Sequence, residues 1–589
     1  MSAFAAAAGL PAEVQVLIAG GGPSGLFLAL DLASRGVPST VIEPRTTLDH
    51  TRPRAKTTNA RTMTHLRRLG LAEVLRDAAP LPVEYAQDVI FCTGLTGPSA
   101  HELRRFRNAF QLVPGRYGPQ PECGQQVPQP ILEEVLRAAV ESHPLVTFLA
   151  GWTVTGVSTP EGGSATEPRA AVVVVDPDGD ERTIAADYVI GADGGSSAVR
   201  RSLGLRLEGG SAELSNISIL FRSESLASAV SLDPAVQYWV VGSKTSGMVG
   251  PMDRDGMWWA IVQGVDPSVT VTAGDATAMV RSLVGSDVDI EVVATDPWTA
   301  RMLLAPEYSR GNVFLVGDAA HLNPPWGGHG FNTCIGDAAN LAWKLAATIN
   351  GWAGPGLLAS YGAERRPVAA RTIRDAAENG KALAYHFADP ELVAAGPAGE
   401  AARGAAHRAL AVKQSEFDSL GLVLGYDYGG SSVVVPDGSA LPGEDPIRYV
   451  PSAAPGALLP HAWLADSRSL YSALGAGFTL LADAGSLGGV DPAEVFEPVL
   501  AAGARQGIPV TVAAVGPSDD GTHLADLWGA TALLVRPDQH VAWRGNSPVE
   551  AAAALSAAAG WATAFPPARP EEPAPSIETR SARVDVIIP

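Results

Sequence analysis

The chain has 589 residues and a formal net charge of −20, with 46% hydrophobic residues. That length predicts several domains, and that hydrophobic content excludes a largely disordered chain. The negative charge argues against nucleic acid or an anionic membrane as a partner, because both favour a basic surface. The three cysteines, Cys92, Cys123 and Cys334, show neither C-x-x-C spacing nor an even count. They therefore predict no metal site and no disulfide framework.

The amino-terminal segment does not resemble a targeting signal. Residues 1–13 lack the basic region of a signal peptide, and the apolar run of residues 14–30 is interrupted by four glycines and a proline. Such a run does not fit a membrane-spanning helix. We therefore expect a cytoplasmic protein.

The first glycine-rich motif follows a short apolar strand, predicted over residues 14–19. Residues 20–25 read GGGPSG, which fits G-x-G-x-x-G, and a helix is predicted over residues 24–35. A second strand over residues 39–43 ends in Glu43, at the spacing of a carboxylate that binds ribose in dinucleotide-binding folds. This order predicts a dinucleotide site; the alternative is an ordinary tight turn between a strand and a helix.

Three later segments add groups suited to the same ligand. Arg52 and Arg54 belong to the sequence RPRA, and a guanidinium group can bind a pyrophosphate through two hydrogen bonds. Gln129 lies in the first turn of an amphipathic helix, where it either faces the cofactor or simply starts the helix. A predicted hairpin leads into Asp193 and Gly194, which places another carboxylate beside flexible glycines. The alternatives are solvated arginines and a turn aspartate.

Residues 213–295 change to a β-rich pattern with clustered aromatic side chains. Partial alternation of apolar and polar residues predicts an antiparallel sheet with one covered face. Such a sheet can roof a pocket for an aromatic substrate, although core packing is the simpler role of any single aromatic residue. The residues expected in that pocket are Tyr238, Trp239, Met248, Trp258, Pro324 and Trp326.

Residues 311–346 are the most informative stretch. An apolar strand over residues 313–316 leads into Gly317 and Asp318, whose carboxylate can meet a ligand hydroxyl. In the following loop, glycines let the backbone approach a flat ligand because no Cβ intervenes. Asn332 precedes a predicted helix, residues 337–349, whose free N–H groups favour an anionic or electron-rich group. Read alone, the stretch also fits an ordinary loop between a strand and a helix.

The carboxy-terminal part of the chain restarts a folded pattern. Residues 421–438 are rich in Gly, Ser and Asp, which is typical of a linker. From about residue 441, strands alternate with helices and predict a small α/β domain. The segment after residue 565 is rich in Pro and Glu and is expected to be extended.

Four motifs occur in one order: GGGPSG with Glu43, RPRA, GADGGSSAVRR and GDAAHLNPPWGGHGFNTCIGDAANLAWKLA. In this order they resemble the flavin-dependent aromatic hydroxylases, the class A monooxygenases related to para-hydroxybenzoate hydroxylase and phenol hydroxylase. The resemblance is nearest to the larger members, which have a thioredoxin-like C-terminal domain. It implies an α/β fold with an FAD-binding Rossmann-like domain, an inserted antiparallel-sheet substrate domain and that C-terminal domain.

The resemblance also implies domain boundaries. The discontinuous FAD-binding domain is expected over residues 1–85, 111–205 and 296–400, and the substrate-binding domain over residues 86–110 and 206–295. A linker over residues 401–440, the thioredoxin-like domain over residues 441–565 and a tail over residues 566–589 complete the chain. No cysteine follows Cys334, so we expect no thiol chemistry in the C-terminal domain.

By the same resemblance, one set of residues binds FAD. Its ADP half is expected at Gly20, Gly22, Pro23, Ser24, Gly25, Glu43 and Arg45. Arg54 and Gln129 would hold FAD, and Asp193 and Gly194 belong to a motif implicated in both FAD and NAD(P)H binding. The ribityl chain is expected at Gly317 and Asp318, and the isoalloxazine ring at Pro325, Gly328, Gly330, Phe331 and Asn332. The catalytic residues are expected at Pro325, His329 and Asn332, where His329 either tunes the charge of flavin or substrate or is a solvent-facing loop residue.

The resemblance implies a monooxygenase that uses FAD, NAD(P)H and O2 to hydroxylate a phenolic or polyketide-like small molecule through a C4a-hydroperoxyflavin. No nucleic acid or membrane partner is expected, and the protein would be a homodimer or a monomer. Baeyer–Villiger or oxidative decarboxylation chemistry on the same fold is the alternative. A non-catalytic binding protein on this fold is a third possibility.

Overall fold

The computed structural model describes residues 11–52, 55–159, 169–266 and 268–561. The predicted cofactor ligand Arg54 and the tail over residues 566–589 lie outside these ranges. The α-helices are Pro23–Ser34, Ala60–Arg68, Ala72–Ala78, Gln129–Ser142, Ala198–Ser202, Leu226–Ala229, Ala273–Val284, Gly330–Ile349, Pro355–Gly380, Gly396–Ala409, Gln414–Phe417, Leu420–Leu424, Pro492–Val495, Glu497–Gln506, Leu524–Trp528 and Pro548–Ala558.

The first sheet has eight strands and a parallel core. Its strands are Glu13–Ala19, Ser39–Glu43, Val146–Ala150, Thr153–Ser158, Ala170–Val175, Glu181–Gly191, Ser309–Arg310 and Val313–Leu315. The strand Glu13–Ala19 lies in the centre and pairs in parallel with Glu181–Gly191 and Ser39–Glu43. The strand Val313–Leu315 continues the parallel order beyond Glu181–Gly191. The central strands are apolar because helices such as Pro23–Ser34 and Gly330–Ile349 bury them.

This parallel arrangement decides where the site lies. Parallel strands present their carboxyl ends at one edge of a sheet, which is where open α/β sheets bind ligands. The glycine motif after Ala19, the acid Glu43, Asp193 and Asp318 each lie at or just after the carboxyl end of one of these strands. Four segments spread over about half of the chain therefore meet at a single edge.

The second sheet also has eight strands and is mostly antiparallel. Its strands are Val89–Cys92, Glu102–Phe106, Glu208–Arg222, Gln237–Val240, Gly247–Pro251, Met257–Val265, Glu291–Leu304 and His321–Leu322. One face packs against the helix Ala273–Val284 and buries Tyr238 and Trp258 in the same core. The opposite face carries Trp239 and Trp259. Successive residues of a strand point to opposite faces, so neighbouring tryptophans belong to different cores.

A third sheet of four strands lies in the C-terminal domain, with the strands Val510–Val515, Phe478–Asp483, Ala532–Val535 and Val541–Gly545 in spatial order. The first two are parallel, and the other neighbouring pairs are antiparallel. The helices Glu497–Gln506 and Pro548–Ala558 contribute to the core on one side of this sheet. The short strands Thr57–Thr58 and Gln125–Gln126 form a separate two-stranded sheet.

The expected linker over residues 401–440 is in large part folded and packed. It contains the end of the helix Gly396–Ala409 and two further short helices, and it buries Leu410, Phe417, Tyr426 and Tyr428. Phe417 joins the aromatic core of the second sheet. This segment is therefore packed against the rest of the chain, because its apolar residues are buried even though part of it is rich in glycine.

A buried group of charges joins the helix Pro355–Gly380 to the C-terminal domain. Glu364 accepts two hydrogen bonds from the Arg536 guanidinium, at 2.7 Å each, and one from Lys344 Nζ at 2.6 Å. Arg536 also forms an ion pair of 2.6 Å with Asp538. Burial alone would raise the pKa of Glu364, but Arg536 and Lys344 outweigh it and lower that pKa to about 2.

The Glu364→Gln variant tests this connection. It keeps the shape of the side chain but removes the negative charge that Arg536 and Lys344 share. We expect the free energy of unfolding to fall by about 3–5 kcal/mol, because breaking a buried ion pair leaves uncompensated charge. Denaturant unfolding followed by circular dichroism measures the change. The matched control is Glu378→Gln, which removes an exposed ion pair with Lys381 on the same helix; equal stability of the two variants would contradict the expectation.

Candidate active site

One cavity of about 970 Å³ lies between the carboxyl edge of the first sheet and the second sheet. Its lining includes nearly all of the cofactor ligands expected from the sequence that lie within the described ranges. Those that line it are Gly20, Gly22, Pro23, Ser24, Glu43, Arg45, Gln129, Asp193, Gly194, Asp318, Pro325, Gly328, Gly330 and Phe331. Gly25, Gly317 and Asn332 do not line it, but each is next in sequence to a lining residue: Ser24, Asp318 and Phe331. The cavity therefore brings the predicted motifs together.

The glycines of the first motif have two different roles. A Cβ at Gly20 would lie 2.3 Å from the Ala192 carbonyl oxygen, and a Cβ at Gly25 would lie 2.0 Å from the Gly20 carbonyl oxygen. Gly20 also has a φ of 107°, which favours glycine. By contrast, a Cβ at Gly22 would meet no atom within 4 Å. Gly20 and Gly25 therefore allow close packing of strand and helix, and the space beside Gly22 is open to a ligand.

The helix Pro23–Ser34 begins in this loop. Its N-cap, Gly22, offers no side-chain hydrogen bond, and Pro23 opens the first turn. Helix N-termini present N–H groups and a partial positive charge, which suit an anion such as a pyrophosphate. This end of the cavity therefore fits the phosphate portion of a dinucleotide.

Glu43 is held by the glycine loop and by a neighbouring arginine. Its carboxylate accepts hydrogen bonds from the Gly21 N–H at 2.7 Å and from Arg45 Nε at 2.7 Å. Arg45 Nη1 lies 3.1 Å from Glu133 Oε2, and Gln129 donates to Glu133 Oε1 at 2.7 Å. Sequence reasoning missed Glu133. Its spacing of four residues from Gln129, on one face of a helix, was the available signal.

Asp193 lines the cavity and also holds the backbone that follows it. Oδ2 accepts hydrogen bonds from the N–H groups of Ala198 and Val199, at 2.7 and 3.1 Å, and so caps the helix Ala198–Ser202. Oδ1 is buried and has no hydrogen-bond partner among the described residues. Gly194 beside it has a φ of 78°. Asp193 can therefore stabilise the turn and also contact a ligand.

Asp318 lies at the other end of this edge. Its side chain is exposed where it lines the cavity, directly after the buried strand Val313–Leu315. Cys334 Sγ lies 3.7 Å from Asp318 Oδ1. Burial, with the nearby Asp318 charge, raises the pKa of Cys334 well above its usual value, so this thiol stays protonated. Cys334 is a further lining residue that sequence reasoning did not select.

Asn332 fixes the shape of the glycine loop. Its Nδ2 donates to the carbonyl oxygens of Thr57 and Gly328, at 2.9 and 2.7 Å, and its Oδ1 accepts from the Asn59 N–H at 3.0 Å. All of these partners are backbone groups. The amide side chain therefore ties the loop to the segment around Thr57, which leaves Pro325 and Gly328 on the cavity wall.

His329 occupies a different environment from both sequence-based expectations. It is buried rather than solvent-facing, and its side chain does not line the cavity. Burial lowers the pKa of His329 to about 4, so the imidazole is neutral at physiological pH. A neutral ring outside the cavity supplies no charge to a bound flavin.

A buried ion chain, unnoticed in the sequence, lies under the loop instead. Asp337 Oδ2 is 2.8 Å from His321 Nε2, and Asp337 Oδ1 accepts a hydrogen bond of 2.8 Å from Arg365 Nε. Arg365 also donates to the Thr333 carbonyl oxygen at 3.1 Å. Burial alone would lower the pKa of His321, but Asp337 outweighs it and raises that pKa. His321 lies just before the glycine loop and Thr333 just after it, so this group of charges holds both ends of the loop.

The far wall of the cavity is aromatic. Trp239, Met248 and Trp326 line it as expected, but Tyr238 and Trp258 do not, since they face the core on the other side of the sheet. Their sequence neighbours Trp239 and Trp259 line the cavity instead, because successive side chains of a strand point to opposite faces of the sheet. Pro324 is buried outside the lining, and the following residue, Pro325, takes its place.

Phe110 also lines this wall and comes from an unusual turn. Asn108, Phe110 and Gln111 have φ values of 56°, 57° and 58°, in the left-handed region that non-glycine residues rarely adopt. Backbone strain of this kind clusters at functional sites, where surrounding packing enforces it. Phe110 packs edge-on against Phe417, with ring centroids 5.7 Å apart.

Comparisons with known proteins agree with this geometry. Residues 13–376 match the family model described as "FAD binding domain", and residues 452–564 match "Aromatic-ring hydroxylase, C-terminal". The 2,4-dichlorophenol 6-monooxygenase of Delftia acidovorans is 31% identical over 90% of this chain and 95% of its own length. A putative polyketide hydroxylase of Streptomyces halstedii is 32% identical over 92% of this chain and 94% of its own length. The structure of the rebeccamycin biosynthetic enzyme RebC with reduced flavin matches with a TM-score of 0.82 and 33% identity, over 94% of this chain and 100% of that one.

Fold, site and similarity therefore define a flavoprotein of the aromatic-ring hydroxylase class. The chain belongs to the family of FAD-dependent aromatic hydroxylases, and it is an FAD-dependent monooxygenase with NAD(P)H as reductant. The resemblance seen in the motifs is confirmed, as is the fold class. No helix in the described ranges is long and apolar enough to cross a membrane. Within the same ranges, no group of three or more His, Cys, Asp or Glu residues is placed to hold a metal ion.

The cavity fits FAD on structural grounds as well. The open space beside Gly22 and the uncapped helix N-terminus lie along one edge, and Asp193 and Asp318 line the same cavity. The open space and the free N–H groups of the helix suit phosphates, and the exposed Asp318 carboxylate suits ligand hydroxyls.

The Asp318→Ala variant tests the cofactor site. Asp318 is an exposed carboxylate at the strand end, and removing it takes away an acceptor for ligand hydroxyls. We expect purified Asp318→Ala protein to lose most of its FAD, measured as the ratio of flavin to protein absorbance after gel filtration. The control, Asp255→Ala, removes an exposed loop carboxylate outside the cavity and should keep FAD. Stoichiometric flavin in Asp318→Ala would refute the assignment.

Proposed function

We propose that this monooxygenase hydroxylates a phenolic substrate with fused rings, held between the flavin and the aromatic wall of the second sheet. One observation carries the proposal: a single cavity of about 970 Å³ joins the cofactor residues to that wall. The wall includes four indole side chains, from Trp239, Trp259, Trp298 and Trp326. Large aromatic side chains bury planar apolar rings well, with stacked or edge-on geometry.

The cofactor residues take separate roles in this proposal. The loop of residues 20–25 would hold the pyrophosphate, and Glu43 a ribose hydroxyl. Asp318 would hold the ribityl chain, and Pro325 and Gly328 would lie against the isoalloxazine ring. When bound, FAD supplies the redox chemistry that transfers one oxygen atom from O2 to the substrate after reduction by NAD(P)H.

The chain itself positions the cofactor and the substrate and shields them from water. Asn332 and the Asp337 ion chain keep the glycine loop in one shape, so the planar ligands are held at a fixed separation. The tryptophans cover the substrate side with apolar surface, and Phe417 closes the core behind Trp239 with ring centroids 5.8 Å apart. Excluding water from such a site protects reactive species from hydrolysis.

The names of the relatives support an aromatic substrate. The Delftia enzyme is named for a chlorinated phenol and the Streptomyces relative for polyketides. The wide indole-rich wall favours the larger of these two kinds of ring system for this chain. A single phenol ring would contact only part of that wall.

Substrate-stimulated NAD(P)H oxidation tests the proposal. We expect 2-naphthol to accelerate NAD(P)H oxidation more than phenol does and to be converted to a product with one added oxygen atom. Spectrophotometry, O2 uptake and mass spectrometry measure these outcomes. Oxidation of NAD(P)H that yields only H2O2 with every phenol tested would contradict hydroxylation, and CO2 release from a carboxylated substrate would favour decarboxylation instead.

A further inference from the structure

The loop of residues 112–124 joins the substrate side of the cavity to the C-terminal domain. It begins directly after the left-handed turn described above. Near its tip, the guanidinium Cζ of Arg116 lies 4.5 Å from the centroid of the Trp463 ring, and Arg116 Nη2 donates to the Ser467 carbonyl oxygen at 2.7 Å. Arg116 also forms an ion pair of 3.7 Å with Asp519. A single side chain therefore holds the loop against three residues of the C-terminal domain.

The same loop is tied back to the turn at both of the turn's ends. Tyr117, next to Arg116, accepts a hydrogen bond of 3.2 Å from Asn108 Nδ2 through its hydroxyl oxygen. The Gly124 N–H donates to the Gln111 carbonyl oxygen at 2.8 Å, and a Cβ at Gly124 would lie 2.6 Å from the carbonyl oxygen of residue 110. The turn and the loop are therefore packed together.

The turn needs this support because its backbone is unfavourable. Asn108, Phe110 and Gln111 all have a positive φ, and none of them is glycine. Such a conformation persists only where the surrounding structure enforces it. Phe417 packs against the Phe110 ring from within the aromatic core, and the 112–124 loop supplies a second support that extends to another domain.

The position of Phe110 affects the surface that a substrate would contact. Phe110 and Trp239 both line the cavity, and the ring of Phe417 lies against both, with centroids 5.7 and 5.8 Å away. The energy of contacts between aromatic rings depends on their separation and orientation. A shift of the turn would move Phe110 relative to Trp239 and change how well a planar ring packs on this wall.

We propose that the C-terminal domain positions Phe110 through Arg116 and thereby strengthens the binding of an aromatic substrate. Arg116 does not line the cavity, so it is a positioning residue that acts through the turn. This gives the C-terminal domain, which contains no cysteine, a role in substrate binding. The proposal rests on the proposed function only for the choice of a fused-ring phenol as the ligand.

Binding of 2-naphthol to the FAD-loaded enzyme tests the proposal. The change in flavin absorbance on titration gives the Kd without turnover. We expect Arg116→Gln to raise this Kd about threefold to tenfold, the size of one lost aromatic contact, while the flavin-to-protein ratio stays unchanged. Trp463→Leu removes the partner ring in the C-terminal domain and should have a similar effect. The two changes combined should not add, because they break the same contact.

A double-mutant cycle with Phe110→Leu separates positioning from a general loss of structure. If Arg116 acts through Phe110, then Arg116→Gln should change the Kd by less than about twofold in the Phe110→Leu protein. A loss of equal size in both backgrounds would show that Arg116 does not act through Phe110, and the proposal would be wrong.

The matched control is Arg107→Gln. Arg107 is an exposed arginine directly before the turn, and it forms no hydrogen bond or ion pair with the described part of the C-terminal domain. This variant should keep the wild-type Kd. Amide hydrogen exchange of residues 108–111 should become faster in Arg116→Gln but not in Arg107→Gln. Unchanged exchange in Arg116→Gln would overturn the proposal whatever the substrate is.

These measurements also separate the proposal from the proposed function. If the Kd of 2-naphthol depends on Arg116 and Phe110 but no phenol gains an oxygen atom, the positioning role is supported and hydroxylation is wrong. If 2-naphthol is hydroxylated and Arg116→Gln leaves its Kd unchanged, hydroxylation is supported and the positioning role is wrong. A wild-type enzyme that does not bind 2-naphthol would contradict both.

Discussion

Two adjacent charged residues on the helix Pro355–Gly380 connect the glycine loop and the C-terminal domain. Glu364 binds Arg536 of the C-terminal domain, and Arg365 binds Asp337 beneath the glycine loop. All four side chains are almost completely buried. A buried charge without its partner is costly, so these pairs form only when helix, loop and C-terminal turn are all in place. The shape of the flavin loop and the docking of the C-terminal domain are thus coupled through a single helical turn.

The cavity depends on two different kinds of strand order. In the first sheet, parallel pairing brings the carboxyl ends of distant strands to one edge, which collects Glu43, Asp193 and Asp318. In the second sheet, alternation along each strand sorts the tryptophans between a structural core and the cavity wall. Cofactor residues therefore come from strand ends, whereas substrate residues come from strand faces.

This difference explains which residues could be predicted. A strand end is marked in the sequence by glycines and an acid, so the cofactor side was accessible to motif reasoning. Choosing between Trp258 and Trp259 requires knowing which face of the sheet is turned to the ligand, and local composition does not contain that information. His329 shows the same limit, because its position in a glycine loop suggested contact with flavin or solvent, and packing buried it outside the cavity. Glu133 and Lys56 were missed because a charged residue on an amphipathic helix or in a polar segment is also common on an ordinary protein surface.

The sequence by itself determined the class of protein, the cofactor and the parallel sheet with its ligand edge. These features follow from local rules. A glycine that allows a positive φ or close packing can be recognised within a few residues, and so can a carboxylate after an apolar strand. Only the tertiary structure decided that residues 401–440 pack against the rest of the chain, and that the C-terminal domain is joined through Glu364. It also placed Lys56 against Trp259. Those outcomes depend on contacts between residues far apart in the chain, where burial and the pairing of charges select one arrangement.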